Sequence, residues 1–369
     1  MRYIIEMQED DEIVAEEVNN VNVLNPKIIL ESSKLKGVNF HSYGSARYQN
    51  NTETILPPPP YNYIDDSFRI FANNGITCVR IPFYWESWEL DANSCYQDLN
   101  AIGEAADKYG VMCIYDNHQW ECSSWMGRGI GMPNSLLSIY YQKRTGYVPD
   151  YKSIKDFWNR WWNRQISNAE GEEGWDAQLD YLKKIVKLLE GRKSTFGFEI
   201  LNEPEVFSVS HYMKVGHYHE YIAKELREIT DKPLLFCWAL PHDVMDTSLL
   251  QALVRPKMKN NIIYDGHAYP PSVTRMLYFR SIVLLMGNIP VYMGEFNSGF
   301  KNGTILTESQ IVEYIKRFKD FAISGWALWR WSYMQDKNIS AFNLTTIVDN
   351  RIQPGIYFNY LLKATKDIE

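Results

Sequence analysis

Eight short apolar runs rich in Val, Ile, Phe and Tyr alternate along the chain with longer segments whose apolar residues recur at helical spacing. The runs are LKGVNFHS from residue 35, TCVRIPF from 77, VMCIYDNHQ from 111, FGFEILNEP from 196, LLFCWAL from 234, IIYDGHAYP from 262, VYMGEFNS from 291 and GWALWRWSY from 325. Near-continuous apolar strands separated by helices are the pattern of a parallel sheet covered on both faces. Eight such units are the number that closes a barrel, so the pattern predicts an α/β fold, a (β/α)8 TIM barrel. Several helices announce their ends: IDDSFRIFANNG stops at Gly75, YQDLNAIGEAADKYG at Gly110 and GWDAQLDYLKKIVKLLEG at Gly191. HYHEYIAKELREITD, ESQIVEYIKRFKDFAISG and IYFNYLLKATKD read as helices too, and no solenoid repeat is present.

Two stretches exceed what a minimal barrel needs. Residues 1–30 form an N-terminal extension, readable as a cap across the closed end of the barrel or as a loose acidic arm, and residues 31–369 supply the barrel. The second stretch, about 120–174, separates the third strand from its helix and contains IKDFWNRWWNRQI with apolar residues at helical spacing. Loops that follow barrel strands lie on the face that carries active sites, so this insertion is placed to shape a cleft. The alternative is that Trp158, Trp161 and Trp162 bury the insertion against the barrel wall.

Composition adds one positive indication and several exclusions. Trp 12, Tyr 25 and Phe 16 among 369 residues exceed what a core of this size needs, so some are expected to line a surface that binds something flat and apolar. A formal net charge of -7 without Lys/Arg clusters excludes a phosphate-backbone partner, and no nucleic-acid binding is expected. The chain opens on an acidic run in place of the basic start and apolar stretch of an export signal. A cytoplasmic location is therefore the default expectation, with a removed or non-standard signal as the alternative. Uninterrupted apolar runs such as Ile282 to Met286 fall far short of the roughly 18 residues of a membrane span, and a soluble monomer is expected. Cys78, Cys95, Cys113, Cys122 and Cys237 lack C-x-x-C spacing and read as buried free thiols, with a Cys95–Cys122 bridge as the alternative. Asn50, Asn302, Asn338 and Asn343 open N-x-S/T triplets that, without an export signal, read as chance matches.

Polar and ionisable residues gather at the C-terminal ends of the runs: Arg80, His118, Asn202 and Glu203, His267 and Tyr269, Glu295, and Trp329. A barrel brings the exits of sequence-distant strands within side-chain reach, so Glu203 from the fourth strand and Glu295 from the seventh can face each other. Hydrolysis of a glycosidic bond needs two such carboxylates, one to protonate the leaving oxygen and one to attack the sugar carbon or activate water. Residues two apart on a strand share a face, which aligns Glu199 with Glu203, Asp116 with His118, and Asp265 with His267 and Tyr269. Asn202 has the opposite parity and reaches the pocket only if the strand bulges or ends there, as Pro204 allows. Glu199, one step deeper, reads as a structural ion-pair partner of Arg80. None of the runs ends in lysine, which removes Schiff-base aldolase chemistry. His211, His217 and His219 lie on or before a helix with no carboxylate or thiolate pattern to complete a metal site, so neither metal nor cofactor is expected.

The set VRIP, NEP, H-A-Y, GEF and W-x-x-W-x-W, in this order on strands two, four, six, seven and eight, resembles the cellulase-type glycoside hydrolases of family 5, a clan of retaining (β/α)8 enzymes. The resemblance runs roughly from residue 35 to residue 335. It implies that Glu203 is the acid/base, Glu295 the nucleophile and Asn202 a hydrogen-bond donor to the sugar 2-hydroxyl. Glu203 must then begin protonated near neutral pH, so its pKa is expected to be raised by burial or by Glu295. Glu295 must stay ionised, with Arg80 and the Tyr269 hydroxyl aiming its oxygen. By the same resemblance His118 and His267 hydrogen-bond sugar hydroxyls or the acid/base, and Trp329, or else Trp331, stacks on a pyranose face. His41 ends the first strand but matches no strong part of the pattern, and is either a core histidine or a member of the site.

The activity implied is that of a retaining endo-type β-glycosidase acting on β-1,4-linked glucan or mannan, or on oligosaccharides of these. A glycoconjugate hydrolase or transglycosylase using the same carboxylates is the alternative, favoured if the 120–174 insertion forms an apolar aglycone channel. A catalytically inactive sugar-binding barrel is the third reading, and two facing carboxylates count against it. The long insertion after YDNHQW departs from the family pattern and bears on substrate specificity.

Overall fold

In the computed structural model eight parallel strands close on themselves: β1 (Lys36–Phe40), β2 (Cys78–Phe83), β3 (Met112–Asn117), β4 (Thr195–Glu199), β5 (Leu234–Cys237), β6 (Ile262–Ala268), β7 (Val291–Phe296) and β8 (Ile323–Trp331). The structure describes residues 35–42, 58–144, 149–258, 260–269, 272–297, 307–321, 323–335 and 342–366. The N-terminal extension and the triplets at Asn50, Asn302 and Asn338 lie outside them. Each strand pairs with its neighbours in sequence and β8 returns to β1, which leaves the barrel without an open edge. The strands are almost wholly apolar because the barrel interior buries one face and the helices bury the other. Leu35, Cys78, Ile114, Phe196, Leu235, Ile263, Tyr292 and Ala327 pack together as a buried layer, one residue from each strand or its start.

Above that layer the interior becomes polar, with Arg80, Asp116, Glu199 and Asp265 all buried. The pairing register shifts towards the upper ends of β6, β7 and β8, between Gly266 and His267 and between Met293 and Phe296. A bulge re-aims side chains, and here it turns Glu295 inward although Gly294 before it already faces the interior against Asp265. The regular part of β4 stops at Glu199. Freed from strand parity, Asn202 can turn into the pocket, as the sequence allowed.

The covering helices are α1 (Tyr63–Asn73), α2 (Ala92–Tyr109), α3 (Gly174–Leu189), α4 (Val209–Leu226), α5 (Ser248–Ala252), α6 (Val273–Leu285), α7 (Glu308–Asp320) and α8 (Ile356–Lys366). Gly110 ends α2 in the left-handed region at φ 71°, a conformation glycine adopts without a Cβ penalty. Two boundaries differ from the sequence pattern. Helix α4 begins at Val209, eight residues ahead of the HYHEYIAKELREITD segment, and α7 ends at Asp320 because Ile323 to Gly325 joins the barrel as β8. Sheet pairing with β7 there outweighs the helical period of FKDFAISG. Helix α6 was not marked by periodicity because apolar residues surround it: Met276, Phe279 and Ile282 are buried while Leu277, Leu284 and Leu285 are exposed.

The insertion after β3 is ordered packing for most of its described length. An antiparallel pair, Trp120–Ser123 with Arg128–Ile130, leads to a short helix at Asn134–Leu137 and then to a helix at Tyr151–Trp161. Asp150 caps the latter by accepting from the Ser153 amide. Trp158, Trp161 and Trp162 are at most 2% exposed, and their rings pack on one another, with Trp161 and Trp162 reaching Tyr218 of α4. Of the two readings of these tryptophans, burial against the wall is the one the structure shows. All five cysteines are free and buried, so no Cys95–Cys122 bridge forms. No helix among the described residues is long and apolar enough to cross a membrane.

Glu86, in the helix Trp85–Leu90 that follows β2, pins the insertion. Its buried carboxyl accepts from the Gly131 amide at 3.1 Å and the Ser124 amide at 3.3 Å, and it also contacts the Ser124 hydroxyl. Burial pushes its pKa from 4.5 up to about 8, against the hydrogen bonds from the Gly131 and Ser124 amides. The folded chain therefore holds this proton more tightly than the unfolded chain, and stability falls as pH rises from about 4.5 to about 8. In chemical denaturation across that window, Glu86→Gln should remove part of this decline, and its stability relative to wild type should improve with rising pH by on the order of a few kcal/mol. Parallel curves for the two proteins would exclude a titrating Glu86.

Candidate active site

Arg80 occupies the centre of the barrel with no solvent exposure. A guanidinium has five N–H donors in a fixed planar fork, and each finds an acceptor here. Nε donates to Glu199 Oε2 at 2.8 Å, and Nη2 donates to Glu199 Oε1 at 3.0 Å and Asn202 Oδ1 at 2.7 Å. Nη1 donates to Asn39 Oδ1 and to Glu295 Oε1, both at 2.9 Å. Asp116 Oδ2 lies 3.1 Å from Nη1 and Asp265 Oδ2 3.4 Å from Nε. Burial alone would drive Arg80 towards neutrality, but Asp116, Glu199, Asp265 and Glu295 outweigh it and hold the charge. Glu199 is thus the ion-pair partner expected from the sequence. Burial still pushes its pKa to about 7, against Arg80, so one guanidinium does not fully offset the surrounding carboxylates.

Glu203 and Glu295 face each other across the mouth, with a carboxylate oxygen of each, and a ring nitrogen of His267, all within 4.8 Å of one another. Glu295 is aimed by Arg80 from below and by the Tyr269 hydroxyl, which donates to Oε2 at 3.0 Å. Glu203 lies just past β4 with its backbone at φ 40°, in the left-handed region. His267 Nδ1 is 2.7 Å from Glu203 Oε1. Behind the ring, Nε2 lies 3.6 Å from Cys237 Sγ and 3.8 Å from Asp265 Oδ2.

This neighbourhood corrects one electrostatic expectation. Burial does push the Glu203 carboxyl upward, but the hydrogen bond and charge of His267, with His118 and Arg80, carry the net direction below the ordinary value of 4.5. His267 itself is held towards its charged form, since Cys237, Glu295 and Asp265 outweigh the burial that opposes it. Burial also keeps the Cys237 thiol far above its ordinary value and hence neutral. The two carboxylates are therefore what sustain the imidazolium.

The aromatic side of the mouth is built from β8 and β3. Trp329 stacks on His118 with ring centroids 5.6 Å apart and meets His41 edge-on at 4.9 Å. His41 thus joins the site. Trp331 points the other way, fully buried, donating from Nε1 to Ser67 Oγ at 2.9 Å and packing on Phe71 and Phe358. Of the two tryptophans, Trp329 is the one at the mouth. His118 is pushed by burial down to about 4, so it is neutral, and its Nδ1 lies 2.6 Å from Asp116 Oδ2. Asn202 is fixed by Arg80 and by donating to the Gln119 carbonyl at 2.9 Å.

Sequence reasoning missed several members. Gln119 donates to the carbonyls of both Asn202 and Glu203 at 3.0 and 2.7 Å, stitching the ends of β3 and β4 together. Asn39 bridges Arg80 to the Gly294 carbonyl. Trp238 follows β5 beside His267, with the Arg275 guanidinium 4.5 Å above its ring. Each lies at a strand exit, and that position was the available signal; neither residue type nor parity distinguished them. Glu199, Cys237, Asp265 and His267 also bring ligand atoms within 4.8 Å of one another. The Arg80 guanidinium already lies among them, so a metal cation there would meet a fixed positive charge.

A family model described as cellulase, glycosyl hydrolase family 5, matches residues 43–335. The chain belongs to glycosyl hydrolase family 5. An endoglycoceramidase of Hydra vulgaris is 20% identical over 291 residues, covering 66% of this chain and 56% of the relative. The chain therefore spans little more than half of that relative's length. A solved endogalactoceramidase superposes with a TM-score of 0.66 at 15% identity, over 89% of this chain and 80% of the other. An endoglucanase of Pseudomonas stutzeri superposes with a TM-score of 0.58 at 14% identity, over 90% and 93% of the two chains. Family membership and the closed barrel agree.

Removing the guanidinium leaves buried carboxylates without a counter-charge. Arg80→Met should lower stability by about 3–5 kcal/mol in urea denaturation near neutral pH. Arg80→Lys should recover only part of this, because an ammonium lacks the five-donor fork. A near-neutral effect of Arg80→Met would show that the carboxylates around it are protonated in the native state.

Proposed function

We propose that this family 5 glycosidase is a retaining β-glycosidase in which Glu295 is the nucleophile and Glu203 the general acid and base. The observation that carries the reading is the close approach of the two carboxyl groups, with oxygens within 4.8 Å. Double displacement calls for carboxyl groups about 5–5.5 Å apart, whereas inversion needs about 6.5–9.5 Å to admit a water. In the first step a Glu295 oxygen bonds to the anomeric carbon as the bond from that carbon to the leaving oxygen breaks, and the Glu203–His267 pair gives that oxygen its proton. In the second, water attacks the same carbon, the ester to Glu295 breaks, and Glu203 receives the proton from water. Arg80 and Tyr269 aim Glu295, Asn202 meets the sugar 2-hydroxyl, and Trp329 and His118 line the sugar side.

For the substrate, we infer a β-glycoside with an apolar aglycone, of the glycosylceramide kind. Exposed aliphatic side chains crowd the starts of α4, α5 and α6, which follow the strands ending near Glu203, Trp238 and His267: Val209 and Met213, Met245 and Leu249, Val273 and Leu277. Met245 and Leu249 are 70% and 65% exposed. The Tyr212 hydroxyl donates to the Met245 carbonyl and Arg275 pairs with Asp246, so this loop lies between α4 and α6. A cluster of exposed aliphatics beside a cleft marks an apolar ligand, and the endoglycoceramidase relative supports the same class. A β-1,4-glucan or mannan, the substrate first expected from the sequence, is the second reading, supported by the endoglucanase superposition.

The test is hydrolysis of a glycosylceramide in detergent, carboxymethyl cellulose, mixed-linkage β-glucan, β-mannan and aryl β-glycosides by wild type, Glu203→Gln and Glu295→Gln. Turnover of the glycosylceramide above the polysaccharides is expected. Glu295→Gln should abolish activity on every substrate, and Glu203→Gln should lose about 10²–10⁴-fold where the leaving group needs a proton. Substantial activity in Glu295→Gln would rule out the nucleophile assignment, and exclusive turnover of glucan or mannan would select the second reading.

A further inference from the structure

Asp265 is a buried carboxylate that takes no part in the proposed reaction. It lies on β6 two residues before His267 with no solvent exposure. Oδ1 accepts from the Gly294 amide at 2.6 Å. Oδ2 has no hydrogen-bond partner, an arrangement that costs free energy unless something else compensates. Arg80 does not supply one. Its Nε is 3.4 Å away, but all five guanidinium hydrogens go to Glu199, Asn202, Asn39 and Glu295. What Oδ2 does face is the rear of the His267 ring, 3.8 Å from Nε2. Strand β7 is shaped to admit it: a Cβ at Gly294 would stand 2.1 Å from Oδ2, so only glycine leaves room for the carboxylate.

His267 therefore has the Glu203 carboxyl in front and the Asp265 carboxyl behind. Glu203 and Glu199 reach it from β4 and its exit, Cys237 from β5, and Glu295 from β7. Tyr269 lies just past the end of β6, Arg80 below the ring on β2, and Asp116 and His118 on the β3 side. Of these carboxylates Glu203 and Glu295 react in the proposed mechanism, and Glu199 is saturated by Arg80. Asp116 also has an oxygen without a hydrogen bond, but its other oxygen is held by Arg80 and His118. Asp265 is the carboxylate whose oxygen without a hydrogen bond lies 3.8 Å from the ring nitrogen.

We propose that Asp265 is a positioning residue that keeps one proton on the His267–Glu203 pair, so that the general acid is a two-residue unit charged from behind. This rests on the proposed retaining mechanism. The proton shared across the 2.7 Å contact passes to the departing oxygen in the first step, and Glu203 regains one from water in the second, so the pair is restored after each turnover. A negative charge behind the ring raises the affinity of the imidazole for that proton and so seats it on the ring.

The test is Asp265→Asn, which keeps an acceptor for the Gly294 amide and removes the charge, assayed beside wild type, Glu203→Gln and Glu295→Gln on the substrate that wild type hydrolyses. The alkaline limb of kcat/KM should move down by about one pH unit. The loss should be large for an alkyl leaving group and within about threefold for a dinitrophenyl glycoside, whose departure needs no proton. A folded variant with an unmoved limb, or with equal losses on both substrates, would overturn the proposal and leave Asp265 as packing for Arg80. Should Asp265→Asn fail to fold, the ¹⁵N shifts of the wild-type His267 ring, assigned by their absence in His267→Gln, decide the matter: an imidazolium near neutral pH is expected, and a neutral ring overturns it. If wild type is inactive on every substrate, or Glu295→Gln is active, the mechanism itself fails first, and the two failures are separable.

Discussion

One guanidinium organises this barrel. Arg80 saturates all five of its N–H donors on side chains from the ends or interiors of three other strands, with Asn39 from β1, Glu199 and Asn202 from β4 and its exit, and Glu295 from β7. Burying a charge is costly unless it is paired and fully hydrogen-bonded, and this arrangement meets both conditions at one point on the barrel axis. It also fixes the nucleophile candidate from below, so the same interaction that makes the interior tolerable sets the geometry of the mouth.

Charge balance around that point explains the behaviour of the remaining groups. Asp116, Glu199, Asp265 and Glu295 surround a single fixed cation. Protons must make up the difference, and they settle where burial and neighbours favour them. Glu199 is pushed to about 7, His267 is held charged, and His118 is left neutral. Glu203 illustrates why an isolated rule misleads: burial raises a carboxyl, but a cationic imidazole at 2.7 Å outweighs it. In the proposed mechanism, an acid that shares its proton with a histidine meets the chemical demand that the sequence places on a lone raised glutamate.

The periphery divides the labour differently from what its composition suggested. The tryptophans of the insertion stabilise it against the barrel wall, with Trp158, Trp161 and Trp162 sealed from solvent. Exposed aliphatic side chains are found on the elements after β4, β5 and β6, where Met245 and Leu249 are largely uncovered. Aromatic richness measured how much loop had to be packed, while the exposed aliphatic side chains carry the proposed contact with an apolar aglycone.

By itself the sequence determined the barrel, since eight apolar runs alternating with amphipathic helices have few other ways to bury themselves. It also determined that Arg80, Asn202, Glu203, His267, Tyr269 and Glu295 meet, because parallel strands place their C-terminal ends on one face whatever the loops do. Element boundaries such as the start of β8 escaped it, because pairing with a distant strand overrides local period. So did Gln119, Asn39 and Asp265, whose types are common and whose importance lies in what they touch. Tertiary structure alone decided that Trp329 faces the mouth and Trp331 the wall, that a bulge turns Glu295 inward, and that His267 reverses the direction of the Glu203 pKa. Each of those outcomes depends on distances of a few ångströms between residues tens to hundreds of positions apart, and Coulomb energy and hydrogen bonding are set by such distances, which sequence order does not encode.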